Sequence, residues 1–242
     1  VAKVLVTRPQ PGAARTARRL AELGHQPVEL PLTRTVALPV EASLLPPTVD
    51  AVAVTSANAL RYAPAAVLAK FVDRPCFAVG ERTAAEARER GFANVMAAIG
   101  DATSLAGLIS ARLPPGATVA YLTGKVRLSD FEARVAAAGM TVVVVETYDT
   151  QDIDYRPQQL AEIVGTEPID AVLLYSANAA GCFSRLRWPE GFDGWMARAA
   201  YLCMSSRVAD RLANPLKARI LVAAELSEAA LLGLLAHETG RS

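Results

Sequence analysis

Asp50-Ala51-Val52-Ala53-Val54-Thr55-Ser56-Ala57-Asn58-Ala59 returns later in the chain as Asp170-Ala171-Val172-Leu173-Leu174-Tyr175-Ser176-Ala177-Asn178-Ala179. Each copy opens with an acid, continues as a short apolar run, and ends at a Ser followed by an Ala-rich stretch. An apolar run without alternation reads as a strand buried on both faces, and Ser before an Ala-rich stretch reads as a helix N-cap. Each copy is thus a strand-to-helix step of a parallel sheet. Two further echoes keep the same order. Val4-Leu5-Val6 matches Val119-Ala120-Tyr121, and the same spacing sets Gly24 against Gly139 and Val28 against Val143. Gly80-Glu81-Arg82-Thr83-Ala84 matches Ser205-Ser206-Arg207-Val208-Ala209. Three ordered echoes point to two similar α/β halves. Sequence order by itself puts the division near residue 118.

Outward from these stretches the alternation continues. Ala13–Leu23 reads as a helix closed by Gly24, followed by a strand at Val28–Leu32. Further strands are expected at Ala51–Thr55, Cys76–Val79, Val119–Leu122, Val142–Glu146, Ala171–Tyr175, Tyr201–Met204 and Arg219–Ala223. The fold class is α/β: two similar three-layer lobes with mainly parallel sheets and a cleft between them. In such folds ligands bind beyond the carboxyl ends of the strands. The residues expected there are Thr7-Arg8, Thr55-Ser56, Gly80 to Thr83, Thr123-Gly124-Lys125, Tyr175-Ser176 and Ser205-Ser206-Arg207. Recurrent Arg and Lys beside helix N-termini favour a small, multiply anionic ligand.

Composition narrows the classes. The 242 residues are 52% apolar, 20% charged and 6% aromatic, with a formal net charge of +1. That balance argues against a nucleic-acid partner. Cys76, Cys182 and Cys203 are an odd number without C-x-x-C, as expected of a reducing compartment. His25 and His237 match no metal spacing, so no metal is expected. No apolar stretch approaches the roughly 20 residues that cross a bilayer. The N-terminus reads directly as a strand without a signal peptide, so no membrane and a cytoplasmic location are expected. Thr123 to Arg127 lacks the full phosphate-loop pattern, and G-x-G-x-x-G is absent, which removes ATP and NAD. Ser56 and Ser176 stand outside G-x-S-x-G, so a serine hydrolase is not indicated.

The opening Val4-Leu5-Val6-Thr7-Arg8-Pro9, the Thr55 to Ala59 stretch, Phe77-Ala78-Val79-Gly80-Glu81-Arg82-Thr83-Ala84 with Gly91-Phe92, Ala137 to Met140 leading to Glu146-Thr147-Tyr148-Asp149-Thr150, and Leu174 to Ala177 together resemble the uroporphyrinogen-III synthase family. The resemblance implies two α/β lobes joined by two extended linkers around a central cleft. It places residues 1–33 with 151–242 in one lobe and 35–148 in the other, with linkers near 32–36 and 147–152. It implies conversion of hydroxymethylbilane to uroporphyrinogen III by loss of water, ring closure and inversion of the last pyrrole, with no cofactor. The substrate is a polycarboxylate tetrapyrrole, handed over by hydroxymethylbilane synthase, and the family default is a monomer.

Tyr148 matches the family tyrosine and is the candidate general acid, since a neutral phenol has a proton to give the departing hydroxyl; a packed linker tyrosine is the alternative. Substrate-binding candidates are Arg8, Ser56, Gly80, Arg82, Thr83, Lys125, Ser176, Ser205, Ser206 and Arg207. Ser56 and Ser176 read equally as helix caps, Thr83 as the cap of a helix starting at Ala84, and Gly80 as a tight turn. Arg127 belongs to the same basic rim, each member of which is alternatively a solvated charge. Trp188, Trp195, Cys182 and Cys203 read as packing residues, and His25 and His237 as surface or capping residues. One departure stands out: Ser205 and Val208 occupy positions where the family commonly has Gly and Thr, and Val208 has no hydrogen-bonding group. The alternative functions are a synthase-derived binding or regulatory domain of weak or no activity, and a periplasmic-type solute binder.

Overall fold

The computed structural model describes residues 1–127, 129–213 and 219–239. In chain order these form β1 (Lys3–Val6), α1 (Gly12–Glu22), β2 (Gln26–Glu29), β3 (Thr33–Ala37), a 3-10 turn (Ala42–Leu44), β4 (Ala51–Val54), α2 (Ala57–Arg61), α3 (Ala65–Phe71), β5 (Cys76–Val79), α4 (Gly80–Glu89), β6 (Val95–Ala98) and α5 (Ala102–Ser110). There follow β7 (Thr118–Gly124), α6 (Asp130–Ala137), β8 (Thr141–Asp152), α7 (Pro157–Val164), β9 (Ala171–Leu174), α8 (Ala177–Arg185), α9 (Asp193–Arg198), β10 (Ala200–Cys203), α10 (Ser206–Ala209), β11 (Ile220–Val222) and α11 (Glu228–Thr239). The apolar runs do become strands buried on both faces: every residue of β4, β9 and β10 is buried. Gly24 follows α1 in the left-handed conformation at φ 81, where a side chain would be strained.

The strands assort into two sheets. One has the order β11-β10-β9-β1-β2 and is parallel throughout. The other has the order β3-β8-β7-β4-β5-β6. Its inner pairs are parallel. At its edge, Leu38 N–H donates to the Thr147 carbonyl while Ile153 N–H donates to Leu32, a progression in which β3 runs antiparallel to β8. The chain forms two compact units, Val1–Arg34 with Gln151–Ser242, and Thr35–Thr150. It passes from one to the other within β3 and again within β8.

A division near residue 118 is not what the sheets show. β1 pairs with β9 and β7 with β4, so the first two strands of each repeat join the sheet of the other repeat. The repeated acids explain part of this exchange. Asp170 accepts the N–H of Lys3 at 2.7 Å, and Asp50 accepts the N–H of Thr118 at 2.7 Å. Each carboxylate thereby sets the register of a strand from the other half of the sequence.

Side chains alternate across both sheets into two cores each. In the first unit Leu5, Val172, Leu174 and Tyr201 pack on one face, while Val4, Val6, Leu173 and Leu202 pack on the other. In the second unit Val52, Val54, Leu122 and Val145 face one way, and Ala53, Phe77, Val119 and Tyr121 the other. Replacing a fully buried Leu such as Leu122 by Ala in such a core costs about 2–5 kcal/mol. Trp188 stacks on Phe192 and Trp195 packs tilted against it, so both act as packing anchors. Cys76, Cys182 and Cys203 are buried and free; burial pushes their thiols up to about 12, 11 and 12.

Two strands exceed the sequence expectation. β3 occupies the stretch expected to be a linker, and β6 was not anticipated; both are edge strands whose residues become strand through pairing alone. β8 runs on to Asp152, well beyond Glu146, so Tyr148 stands inside a strand and not at its end. His25 accepts the N–H of Ala2 at 3.3 Å, whereas the His237 side chain lies outside the described residues.

Candidate active site

In the second unit, the carboxyl ends of β8, β7, β4 and β5 are neighbours in the sheet, which places Tyr148, Lys125, Ser56 and the Gly80–Thr83 turn along one edge. The regular pairing of β7 with β8 breaks there. Thr123 pairs with Glu146, but Gly124 pairs with Tyr148, so Thr147 is an extra residue and β8 carries a bulge. The bulge resets the alternation. Val143 and Val145 face the α2 side of the sheet, and Tyr148 packs on that same side with them, although its odd-even position would put it with Val142 and Val144.

Gly124 makes room for the tyrosine. A Cβ added at Gly124 would stand 2.6 Å from Tyr148 Cζ and 2.8 Å from Cε2. The phenol therefore lies directly on a bare Cα. Its backbone is held by Lys125, whose N–H donates to the Tyr148 carbonyl at 2.8 Å. The ring of Tyr62, just beyond α2, has its centre 6.2 Å away. The Tyr148 side chain is half-buried, and its hydroxyl has no hydrogen-bond partner among the described residues.

The neighbouring loops divide into engaged and open groups. Ser56 caps α2 by accepting the N–H of Asn58 at 3.3 Å. Gly80 has φ 72, a conformation that needs glycine, and opens α4. Because α4 starts at Gly80 and not at Ala84, Thr83 lies inside its first turn and cannot be its N-cap. It is only 6% exposed, and its hydroxyl has no hydrogen-bond partner among the described residues. Arg82 and Lys125 are exposed, without an ion pair among the described residues. Arg127 is taken: it meets Glu132 and Glu146 at 2.6 Å each.

The first unit presents its own set at the ends of β1, β9 and β10. Arg8 is not open. Its guanidinium pairs with Glu228 at 2.8 Å and lies over the Tyr175 ring, 4.4 Å from the centre. Glu228 also accepts from the hydroxyls of Thr16 and Tyr175. Desolvation works against the Glu228 carboxylate, but those two bonds and the charges of Arg8 and Arg19 outweigh it and hold the group below the usual carboxylate range. Burial and the nearby carboxylate push the Tyr175 phenol up to about 12. Ser176 caps α8 through the N–H of Ala179 at 3.1 Å. Ser205 stands at the N-cap of α10 without a side-chain capping bond, followed by exposed Ser206 and Arg207. Val208 is 4% exposed and part of the core, so its apolar side chain is suited to where it lies.

Sequence reasoning placed Gly124 in a ligand-site loop but gave it no role of its own, and it assigned none to Thr147 or Glu228. The Thr123-Gly124-Lys125 stretch was legible only as a polar loop, and nothing in one sequence marks a bulge. Among the described residues, no cluster of three or more His, Cys, Asp or Glu is arranged to hold a metal ion. No helix among them is long and apolar enough to cross a membrane.

Comparisons with known proteins agree with this architecture. No curated protein sequence matches the chain. Among solved structures, uroporphyrinogen-III synthetase from Helicobacter pylori is similar at 17% identity and a TM-score of 0.64, over 98% of both chains. A mutant uroporphyrinogen III synthase from the extremely thermophilic bacterium Thermus thermophilus is similar at 18% identity and a TM-score of 0.58, over 100% of both chains. These likenesses show a shared fold. The family model described as uroporphyrinogen-III synthase HemD matches residues 14–233. Matched over nearly its whole length, the chain belongs to the uroporphyrinogen-III synthase HemD family.

Proposed function

We propose how this chain carries out the reaction of its family, a cofactor-independent cyclising lyase that converts hydroxymethylbilane to uroporphyrinogen III. Tyr148 acts as general acid. Its phenol protonates the terminal hydroxyl, the carbon–oxygen bond breaks, and water leaves an azafulvene cation. The substituted position of the last pyrrole attacks that cation to form a spiro intermediate, which fragments and recloses with the ring inverted; loss of a ring proton completes the product. The observation that carries this role is the half-buried Tyr148 side chain, braced on Gly124, with a hydroxyl that has no hydrogen-bond partner among the described residues. An acid already committed to a protein acceptor would be less available to substrate.

Carboxyl-end loops supply the groups that bind the substrate's carboxylates. Arg82, Thr83 and Lys125 in the second unit, and Ser205, Ser206 and Arg207 in the first, have side-chain donors without a partner among the described residues, which supports this. Gly80 permits close backbone approach, and Ser56 and Ser176 serve mainly by ordering their turns. Arg8 contributes through the shape of its turn, since Glu228 neutralises its charge. The buried free cysteines support a reducing cytoplasm, where the chain acts as a monomer and takes hydroxymethylbilane from the synthase that makes it.

A coupled assay tests the activity. Porphobilinogen deaminase generates hydroxymethylbilane in situ, the protein is added, and oxidised products are separated into type I and type III isomers. Type III product that depends on the protein is expected. Type I alone from a folded sample would sink the assignment.

A further inference from the structure

Thr147 is fully buried, and as the extra residue of the β8 bulge it immediately precedes Tyr148. Its hydroxyl donates to the carbonyl of Ala59 in α2 at 2.7 Å, and its own carbonyl accepts the N–H of Leu38. α2 has five residues, too few to hold its shape alone, and is tied on its other side by Arg61 to Glu86 of α4 at 2.6 Å. The end of this short helix carries Tyr62, whose ring is next to Tyr148. Bulge, helix and phenol are therefore held in one frame.

The fold does not demand that frame. At the spacing that matches Gly24 with Gly139, Thr147 corresponds to Leu32, which is also fully buried. At the spacings of the other echoes, Arg61 corresponds to Gly181 and Glu86 to Arg211. At the corresponding positions the first unit has Leu32, beyond the end of β2, with Gly181 and Arg211, and so has neither the hydroxyl nor the ion pair there. A buried hydroxyl must be desolvated, at a cost that an aliphatic side chain avoids. It occurs in the unit that carries Tyr148, one residue before it.

We infer that Thr147 is a positioning residue for Tyr148: its hydroxyl, bonded to the Ala59 carbonyl, locks the bulge that turns the phenol toward the α2 face. For its effect on rate this rests on the acid role given to Tyr148 above; for its effect on ring position it does not. Bulges beside active sites re-aim side chains in this way.

The test uses the whole chain with Thr147→Val, which keeps shape without the hydroxyl, Thr147→Ser, which keeps the hydroxyl, Tyr148→Phe, and the Thr147→Val/Tyr148→Phe pair. Type III formation is measured at varied hydroxymethylbilane. Thr147→Val is expected to lower kcat by about tenfold or more with KM little changed, and Thr147→Ser to stay within about threefold of the parent. The double variant should be no slower than Tyr148→Phe, because the first residue acts through the second. Multiplied losses in the double variant would overturn the inference.

Ring position is read separately with 3-fluorotyrosine, the line at position 148 being the one that Tyr148→Phe removes. In Thr147→Val that line should shift or broaden, and in Thr147→Ser return. An unchanged line in Thr147→Val overturns the inference whatever the kinetics. If Tyr148→Phe leaves turnover intact, the acid role fails and the fluorine line alone decides Thr147. Should Thr147→Val not fold, Thr147→Ala is read by the same two measurements.

Discussion

A phenol delivers a proton well only when its oxygen is held near the leaving group and is not spent on another acceptor. The Tyr148 ring lies on Gly124, a residue that has no side chain, and its hydroxyl has no hydrogen-bond partner among the described residues, which meets the second condition. Gly124→Ala puts a methyl 2.6 Å from Cζ, so the ring must move. The Gly124 backbone is in an ordinary region, and most of the damage should fall on catalysis. We expect type III turnover to drop by about tenfold while the melting temperature moves little. Tyr148→Phe should lower turnover by about tenfold to a hundredfold, at the modest end for an acid because the bilane hydroxyl ionises readily. Both are read in the isomer assay, and full activity in Tyr148→Phe would remove the tyrosine from the mechanism. The same residue scale explains Arg8. Its place after β1 suggested a substrate contact, but an acid more than two hundred positions away in the sequence claims its charge.

Strand ends in this protein are registered by acids. Asp50 and Asp170 each accept the first N–H of a strand and return their own N–H to the same residue's carbonyl, at 2.8 Å and 3.0 Å. The pair of bonds pins the start of β7 to β4 and of β1 to β9, which is why an acid recurs in both repeats. Both carboxylates are exposed, so the gain is small. Asp50→Ala and Asp170→Ala should each reduce unfolding free energy by about 1 kcal/mol in urea titrations. No change in either would reduce the repeated acid to a solvated charge. β8 was the element least legible beforehand. Val142 to Val145 announces a strand, but its continuation through Thr147 and Tyr148 depends on β3 pairing alongside and on the extra residue opposite Gly124.

Across the whole chain, each sheet takes strands from both repeats. Thr35–Thr150 contains β4 to β8 and hence the inner strands of one sheet. Expressed alone, it should unfold cooperatively in urea. Residues 1–117 retain β1 without β9 and β4 without β7, and should show no cooperative transition. A cooperative transition in residues 1–117 would mean that a single repeat can close its own sheet, against the pairing seen here.

The α/β class, the repeat and most strand positions were determined by the sequence, because apolar runs, helix caps and the glycine after α1 act over a few residues and leave a local pattern. Tyr148 and the Gly80–Thr83 turn were also marked, since they stand in stretches that resemble a known family. The tertiary structure decided the rest. Which half supplies β1 to a sheet depends on a pairing between residues far apart, and Arg8 is neutralised by a helix at the other end of the chain. The face on which Tyr148 lies was settled by one extra residue in β8, because strand alternation has a period of two and a single insertion reverses it.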